Sequence, residues 1–210
     1  MNFIGSKIIQ IADSSRYPDL SLIYIKEFLN AKESLKLFQL LKDGTEWQSA
    51  YVTIYGKKYL QPRLSAWIAD PSVQYTYSGL TLPRNDWTTG LLDLKKRISD
   101  LIVDEKTRFN SVLLNYYRNG NDSMGWHQDN EKVLGVYPVI ASVSLGCERV
   151  FKMKHINSER KTVINFNLSA GDLLLMKGAT QEFWSHSLPK TSKPAGGRIN
   201  LTFRHITYDA

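Results

Sequence analysis

The chain has 210 residues, 42% of them hydrophobic and 11% aromatic, and a formal net charge of +7. That length suits one domain, the apolar content excludes an intrinsically disordered chain, and no apolar run approaches the ~18 residues of a membrane-spanning helix. The basic surplus favours a polyanionic partner, nucleic acid above all, although solubility alone makes many proteins basic. Cys147 is the only cysteine, so no intrachain disulfide can form and a reducing compartment fits. It falls in an apolar strand-like run and reads as an inert buried thiol. Met1 to Gln10 lacks the pattern of a secretory signal. A soluble intracellular protein is therefore expected, in the cytoplasm, or the nucleus if the source is eukaryotic, with no membrane association and as a monomer. There is no internal repeat or low-complexity segment.

In chain order, Leu22 to Ile25 reads as a short strand. Asn30 is a helix cap, and Ala31 to Lys42 forms the helix, with Leu35, Phe38 and Leu41 at helical spacing and Gly44 as its stop. Trp47 to Tyr55 is strand-like. Tyr55-Gly56-Lys57-Lys58 reads as a tight hairpin turn with two charges, after which Tyr59 resumes the apolar side. Pro62 to Pro71 reads as irregular and holds Arg63, Trp67 and Asp70. Tyr75-Thr76-Tyr77 places two aromatics on one face of an extended segment. Asp86 is the expected cap of a second helix whose buried stripe is Leu91, Leu94, Ile98 and Leu101. After Arg108 the texture changes to short strands: Val112 to Tyr117, Val139 to Leu145, Val150 to Met153, Val163 to Leu168, Leu173 to Met176, Phe183 to His186 and Arg198 to His205. Turn-forming clusters separate them, so a β-sandwich or jelly roll is expected, with an N-terminal α/β extension packed on it.

Three elements carry chemistry. His127 and Asp129 are two residues apart, so on an extended backbone they face the same way. That pair alone is weak, since a hydrogen-bonded surface pair is the bland alternative. A second histidine, His186, lies far downstream. Two histidines and one carboxylate on one face of a metal form the ligand set of non-heme Fe(II) oxygenases. The third element is Arg198-Ile199-Asn200-Leu201-Thr202-Phe203-Arg204. On a strand, two arginines, an amide and a hydroxyl share one face and three apolar residues share the other. Two inward arginines are costly unless an anion neutralises them, and guanidinium forks suit a dicarboxylate. Asn115 and Tyr117 share a face and can add hydrogen bonds to the same acid. The alternative is a solvent-facing edge strand with arginines for solubility.

Together, Asn115-x-Tyr117, His127-x-Asp129-x-Glu131, the distal His186 and Arg198-x-Asn200-x-Thr202-Phe203-Arg204 resemble the AlkB family of Fe(II)/2-oxoglutarate dioxygenases, most of all its DNA-repair homologues. Ile140 to Gly146, Arg149-x-Phe151, Ala170 to Leu173 and Tyr75 to Leu80 support the likeness, which spans roughly Tyr55 to His205. The ordered set is far more specific than any single pair.

The resemblance implies an α+β protein with a double-stranded β-helix (jelly roll) core over residues 106–210, and a nucleotide-recognition extension over residues 1–105. It implies that His127, Asp129 and His186 hold Fe(II), and that Asn115, Tyr117, Arg198, Asn200, Thr202 and Arg204 bind 2-oxoglutarate, with O2 as co-substrate. The implied activity is oxidative demethylation of 1-methyladenine and 3-methylcytosine in DNA, releasing succinate, CO2 and formaldehyde. A damaged base must leave the duplex to reach a buried metal. Tyr75, Thr76 and Tyr77 would stack on it, while Asn130 and Glu131 would meet its edge and backbone. Tyr55, Gly56 and Lys57 would form a finger that probes the duplex, with Lys57 and Lys58 on phosphates. The chain departs from close relatives at Ile68-Ala69, where they carry Tyr-Gly, and at Val150, where they carry Asp. Both changes fall on the substrate side and bear on lesion preference. The other readings are a dioxygenase acting on methylated RNA or protein, a zinc hydrolase that leaves the arginines unexplained, and a metal-free nucleic-acid-binding β-sandwich.

Overall fold

A computed structural model describes residues 8–11, 16–54, 57–73, 83–102, 108–157, 159, 162–193 and 196–207. The strands are β1 (Ile8–Ile11), β2 (Ser21–Ile25), β3 (Gln48–Ile54), β4 (Lys57–Ala69), β5 (Arg84–Asn85), β6 (Ser111–Tyr117), β7 (Met124–His127), β8 (Ile140–Gly146), β9 (Arg149–His155), β10 (Val163–Leu168), β11 (Leu173–Lys177), β12 (Trp184–Leu188) and β13 (Arg198–Arg204). The helices are α1 (Ala31–Gly44), α2 (Thr89–Ser99) and the single turn α3 (Thr180–Phe183).

These strands form two sheets, the expected jelly-roll arrangement. The larger runs β1-β2-β11-β8-β13-β6-β4-β3, with β5 beside β4, and the smaller runs β10-β9-β12-β7. The early strands therefore prolong the large sheet at both edges. Side chains alternate across a strand, which gives the large sheet two different faces. Val112, Leu114, Val143, Leu145, Ile199, Leu201 and Phe203 pack with Leu41 of α1 and Leu91, Leu94 and Ile98 of α2. The intervening positions Leu113, Ile140 and Met176 pack with Phe151, Met153 and Trp184 of the small sheet. The site is built into this second, inter-sheet layer.

Local chemistry explains the elements and several departures from the sequence expectations. Asn30 caps α1 through a capping box with Glu33: Glu33 N–H donates to Asn30 Oδ1 at 3.0 Å, and Asn30 N–H donates to Glu33 Oε2 at 2.9 Å. Its buried face is Ser34 and Leu41, with Leu37 and Phe38 partly buried. Leu35 is 62% exposed, because one residue turns about 100° around the axis away from Ser34. Thr88, not Asp86, caps α2 by accepting the Leu91 N–H, while the Asp86 carboxylate pairs with Arg84 at 2.6 Å.

The stretch expected to be irregular from Pro62 is the second half of β4, which runs to Ala69. Pro62 is tolerated because the β3–β4 register shifts there, between the pairs Tyr51↔Leu60 and Ser49↔Leu64, and a bulge needs no ladder N–H. The Pro62 carbonyl instead accepts the Ser123 N–H at 2.9 Å. Across the hairpin Ile54 pairs with Lys57, and Tyr59 does not resume a core face but stays exposed. Cys147 lies between β8 and β9, half-buried, with its thiol donating to the Gly196 carbonyl at 3.0 Å. The Ser169–Asp172 turn depends on Gly171, at φ 89°, where a Cβ would sit 2.1 Å from the Leu29 carbonyl oxygen.

Candidate active site

β7 and β12 are antiparallel neighbours, and their register pairs His127 with His186. The rings meet edge to face, 4.2 Å between centroids. Asp129 follows two residues after β7 ends. One ligand atom from each of His127, Asp129 and His186 lies within 4.8 Å of the others. His127 Nδ1 is 2.9 Å from the Gly125 carbonyl oxygen. A carbonyl only accepts, so Nδ1 carries the proton and the Nε2 lone pair is free for a metal. Asp129 Oδ2 stands 3.9 Å from His186 Nε2, and Phe151 packs against the His186 ring at 5.3 Å.

Electrostatics favour the ligand forms. Burial pushes the His186 pKa down to about 3, helped by neighbouring His127. Burial likewise lowers the His127 pKa, against the pull of Asp129. Both imidazoles are therefore neutral near pH 7. Burial alone would raise the Asp129 pKa, but Arg204, His186 and His127 outweigh it and hold the carboxyl below its usual range. Arg204 Nη2 donates to Asp129 Oδ1 at 2.5 Å, with both side chains nearly inaccessible to solvent.

The polar face of β13 continues from the triad. Arg204, Thr202, Asn200 and Arg198 line one cavity, open to solvent, together with Asn115, Tyr117, Arg63 and the three triad residues. Register assembles this wall: Arg198 pairs with Tyr117 and Asn200 with Asn115 on β6, and Asn200 with Ser144 on β8. Arg198 is 2% exposed, and its guanidinium lies 5.5 Å from the Tyr117 ring centroid. It donates to Ser144 Oγ and Asn200 Oδ1, each at 3.0 Å. Burial pulls its pKa down to about 10, so it stays charged at neutral pH. Its buried Nε has no hydrogen-bond partner among the described residues. An unmatched donor on a buried cation is costly, and an acid bound in this cavity would satisfy it.

The structure thus brings together all nine residues expected to bind metal and 2-oxoglutarate. It does not bring Asn130 into that cavity; Asn130 lines a separate surface pocket with Tyr137 and Gln181. Glu131 is half-buried at the start of the next turn, and Lys57 is exposed at the start of β4. Tyr55, Gly56, Tyr75, Thr76 and Tyr77 lie outside the described residues.

Sequence reasoning missed Arg63, which is buried on β4 and donates through Nε to Asn115 Oδ1 at 2.9 Å. The signal was present as the alternation Gln61, Arg63, Ser65, but Pro62 obscured it. It also missed Ser142, which donates to Asn200 Oδ1 at 2.9 Å.

This arrangement pairs a two-histidine, one-carboxylate triad with a buried cationic acid site. The signature of the 2OG-Fe(II) oxygenase superfamily matches residues 21–204. The chain belongs to this superfamily, in its AlkB branch. It is 37% identical to the DNA oxidative demethylase ALKBH2 of Arabidopsis thaliana, over 88% of this chain and 66% of that protein. It is 38% identical to alpha-ketoglutarate-dependent dioxygenase alkB homolog 3 of Bos taurus, over 87% of this chain and 65% of that one. With ALKBH2 of Homo sapiens the identity is 38%, over 83% and 69%. The chain thus spans about two thirds of the length of the curated relatives it matches. In fold it is similar to OsALKBH1, with TM-score 0.59 at 19% identity over 88% of this chain and 97% of that one. A Pseudomonas putida prolyl-4-hydroxylase gives TM-score 0.59 at 16% identity, over 90% and 93%.

The residues present fit the family's Fe(II) and 2-oxoglutarate. The neutral imidazoles and ionised carboxylate suit Fe(II), and the buried Arg198 and Arg204 suit a dicarboxylate.

Proposed function

We propose that the chain is a DNA repair enzyme that oxidatively demethylates N-alkylated bases, 1-methyladenine and 3-methylcytosine among them. The observation that carries this reading is the convergence of His127, Asp129 and His186 with Arg198 and Arg204 on one cavity. Relatives named as DNA oxidative demethylases support the substrate class, as does the net charge of +7. Fe(II) with 2-oxoglutarate and O2 supplies oxidative decarboxylation coupled to hydroxylation of an N-methyl group.

The chain's own residues do the rest. His127, Asp129 and His186 would hold the metal. Arg198 and Arg204 would bind the two carboxylate ends of the acid, helped by Asn115, Tyr117, Asn200 and Thr202, which line the same cavity. Leu113, Phe151 and Leu188 add apolar wall to the same cavity, and a lower local dielectric there would strengthen the polar contacts inside. Residues 1–105 act as the nucleotide-recognition lid on the 106–210 core. In it Tyr75, Thr76 and Tyr77 stack on the flipped base, and Tyr55, Gly56 and Lys57 probe the duplex. Asn130 and Glu131 meet the base edge and backbone beyond the metal carboxylate, and a carboxylate there favours a cationic lesion over the neutral base.

No helix among the described residues is long and apolar enough to cross a membrane. We place the protein's work inside the cell, as a monomer in the cytoplasm, or the nucleus of a eukaryote.

The test is repair of an oligonucleotide carrying one 1-methyladenine, with Fe(II), ascorbate and 2-oxoglutarate, read by mass spectrometry. Loss of one methylene mass that requires both iron and 2-oxoglutarate is expected. Succinate without DNA repair would move the same chemistry to methylated RNA or protein. Absence of both products would overturn the enzyme reading.

A further inference from the structure

Of the three triad residues, Asp129 has the least support from the sheets. His127 and His186 are paired with each other across β7 and β12, whereas Asp129 lies past the end of β7 and outside any strand. Its buried main-chain N–H is satisfied by a side chain instead, donating to Gln181 Oε1 at 2.9 Å. An N–H can only donate, so the oxygen of the Gln181 amide must face Asp129 and its NH2 must face away. That NH2 lies 3.2 Å from Met176 Sδ on β11, and Gln181 is 1% exposed.

The clasp is reciprocal. Gln128 Nε2 donates to the main-chain carbonyls of Gln181 at 3.0 Å and Glu182 at 2.8 Å. The turn it grips is anchored from the other side. Thr180 Oγ1 accepts the Ser21 N–H at 2.9 Å and donates to the Ser21 carbonyl at 3.2 Å. The same turn leads directly into β12 and His186.

We infer that Gln181 is a positioning residue for the metal carboxylate. Its Oε1 holds the Asp129 main chain while Arg204 holds Oδ1. Oδ2 is then the oxygen left to face His186, 3.9 Å from its Nε2. The Gln128–Gln181 clasp also ties the loop that carries Asp129 to the turn that delivers His186, so the two ligands cannot drift apart independently. This inference rests on reading the triad as a metal site.

The test uses the full chain and Co(II) as a spectroscopic probe, with amide hydrogen exchange at Asp129 in the metal-free protein. Gln181→Met keeps the length and removes the acceptor. The Co(II) dissociation constant should rise about 10–100-fold, the usual range for lost outer-shell partners of metal ligands, and the Asp129 amide should exchange faster. Gln181→Glu, which keeps an acceptor oxygen, should restore the protected amide and most of the Co(II) affinity. Wild-type Co(II) affinity with a protected Asp129 amide in Gln181→Met overturns the inference. If Gln181→Met does not fold, Gln128→Met decides. It should weaken Co(II) binding by about tenfold, at the low end of such effects, and speed exchange at Asp129; no change in either overturns the inference. A wild-type chain that binds no Co(II) overturns it together with the triad reading. Neither readout uses 2-oxoglutarate or a methylated base. A chain that binds Co(II) through the clasp yet demethylates nothing therefore sinks only the proposed function.

Discussion

The two faces of β13 are buried to nearly the same extent and do opposite work. On one face Ile199, Leu201 and Phe203 are fully buried in the helix-side core. On the other, Arg198, Thr202 and Arg204 are almost as inaccessible, but they line the cavity beside the triad. Burial of the first face stabilises the fold, by about 25 cal/mol for each Å² of apolar surface. Burial of guanidinium groups costs free energy that hydrogen bonds only partly offset. Equal burial therefore does not mean equal contribution: one face makes the fold, and the other is held in place by it, ready for a charged ligand.

The sharpest way to break that comparison is at the triad. Asp129→Ala should reduce turnover to background while circular dichroism shows the fold intact, and near-normal activity would remove the ligand assignment. Phe203→Ala attacks the other face. It should cost about 3–5 kcal/mol of stability, as large-to-small core changes do, measured by denaturant unfolding. The apparent requirement for 2-oxoglutarate in the folded fraction should not move. Arg198→Met tests the claim that the polar face is costly. Burying a charged group costs free energy that its hydrogen bonds only partly offset, so an apolar side chain of similar length there should not weaken the fold strongly. The melting temperature should hold or rise while the 2-oxoglutarate requirement climbs at least about tenfold, the loss of one charge-assisted contact. A melting temperature that falls sharply would make Arg198 structural. The smallest effect is expected far from both faces. Charge reversal at exposed Lys57 and Lys58 should weaken DNA binding several-fold at low salt and progressively less as salt rises, in a binding titration; unchanged affinity would remove the finger.

Much of this site was legible in the sequence because it is written in period two. The alternation from Arg198 to Arg204 and the pair Asn115, Tyr117 needed only strand geometry to fall on one wall. His127 and Asp129 needed only their spacing. What was not legible depended on partners remote in sequence. Arg63 was hidden because Pro62 breaks a strand pattern unless a bulge accommodates it. Leu35 looked like part of a buried stripe, but Ser34 takes that position against the core. Asp86 looked like a cap until its carboxylate was seen on Arg84. Gln181 carries no motif at all; its importance comes from a main-chain N–H that lies 52 residues away.

β7 has consequences beyond geometry. It is four residues long, it lies at the border of the small sheet with β12 as its one neighbour among the described residues, and the pairing slips between His186 and Leu188. A short border strand peels away at lower free energy than a central one. His127 rides on that strand and His186 on its neighbour, so a metal held by both would act as a rivet between them. Loss of the metal should first be felt as fraying of the site's own rim rather than as melting of the whole protein.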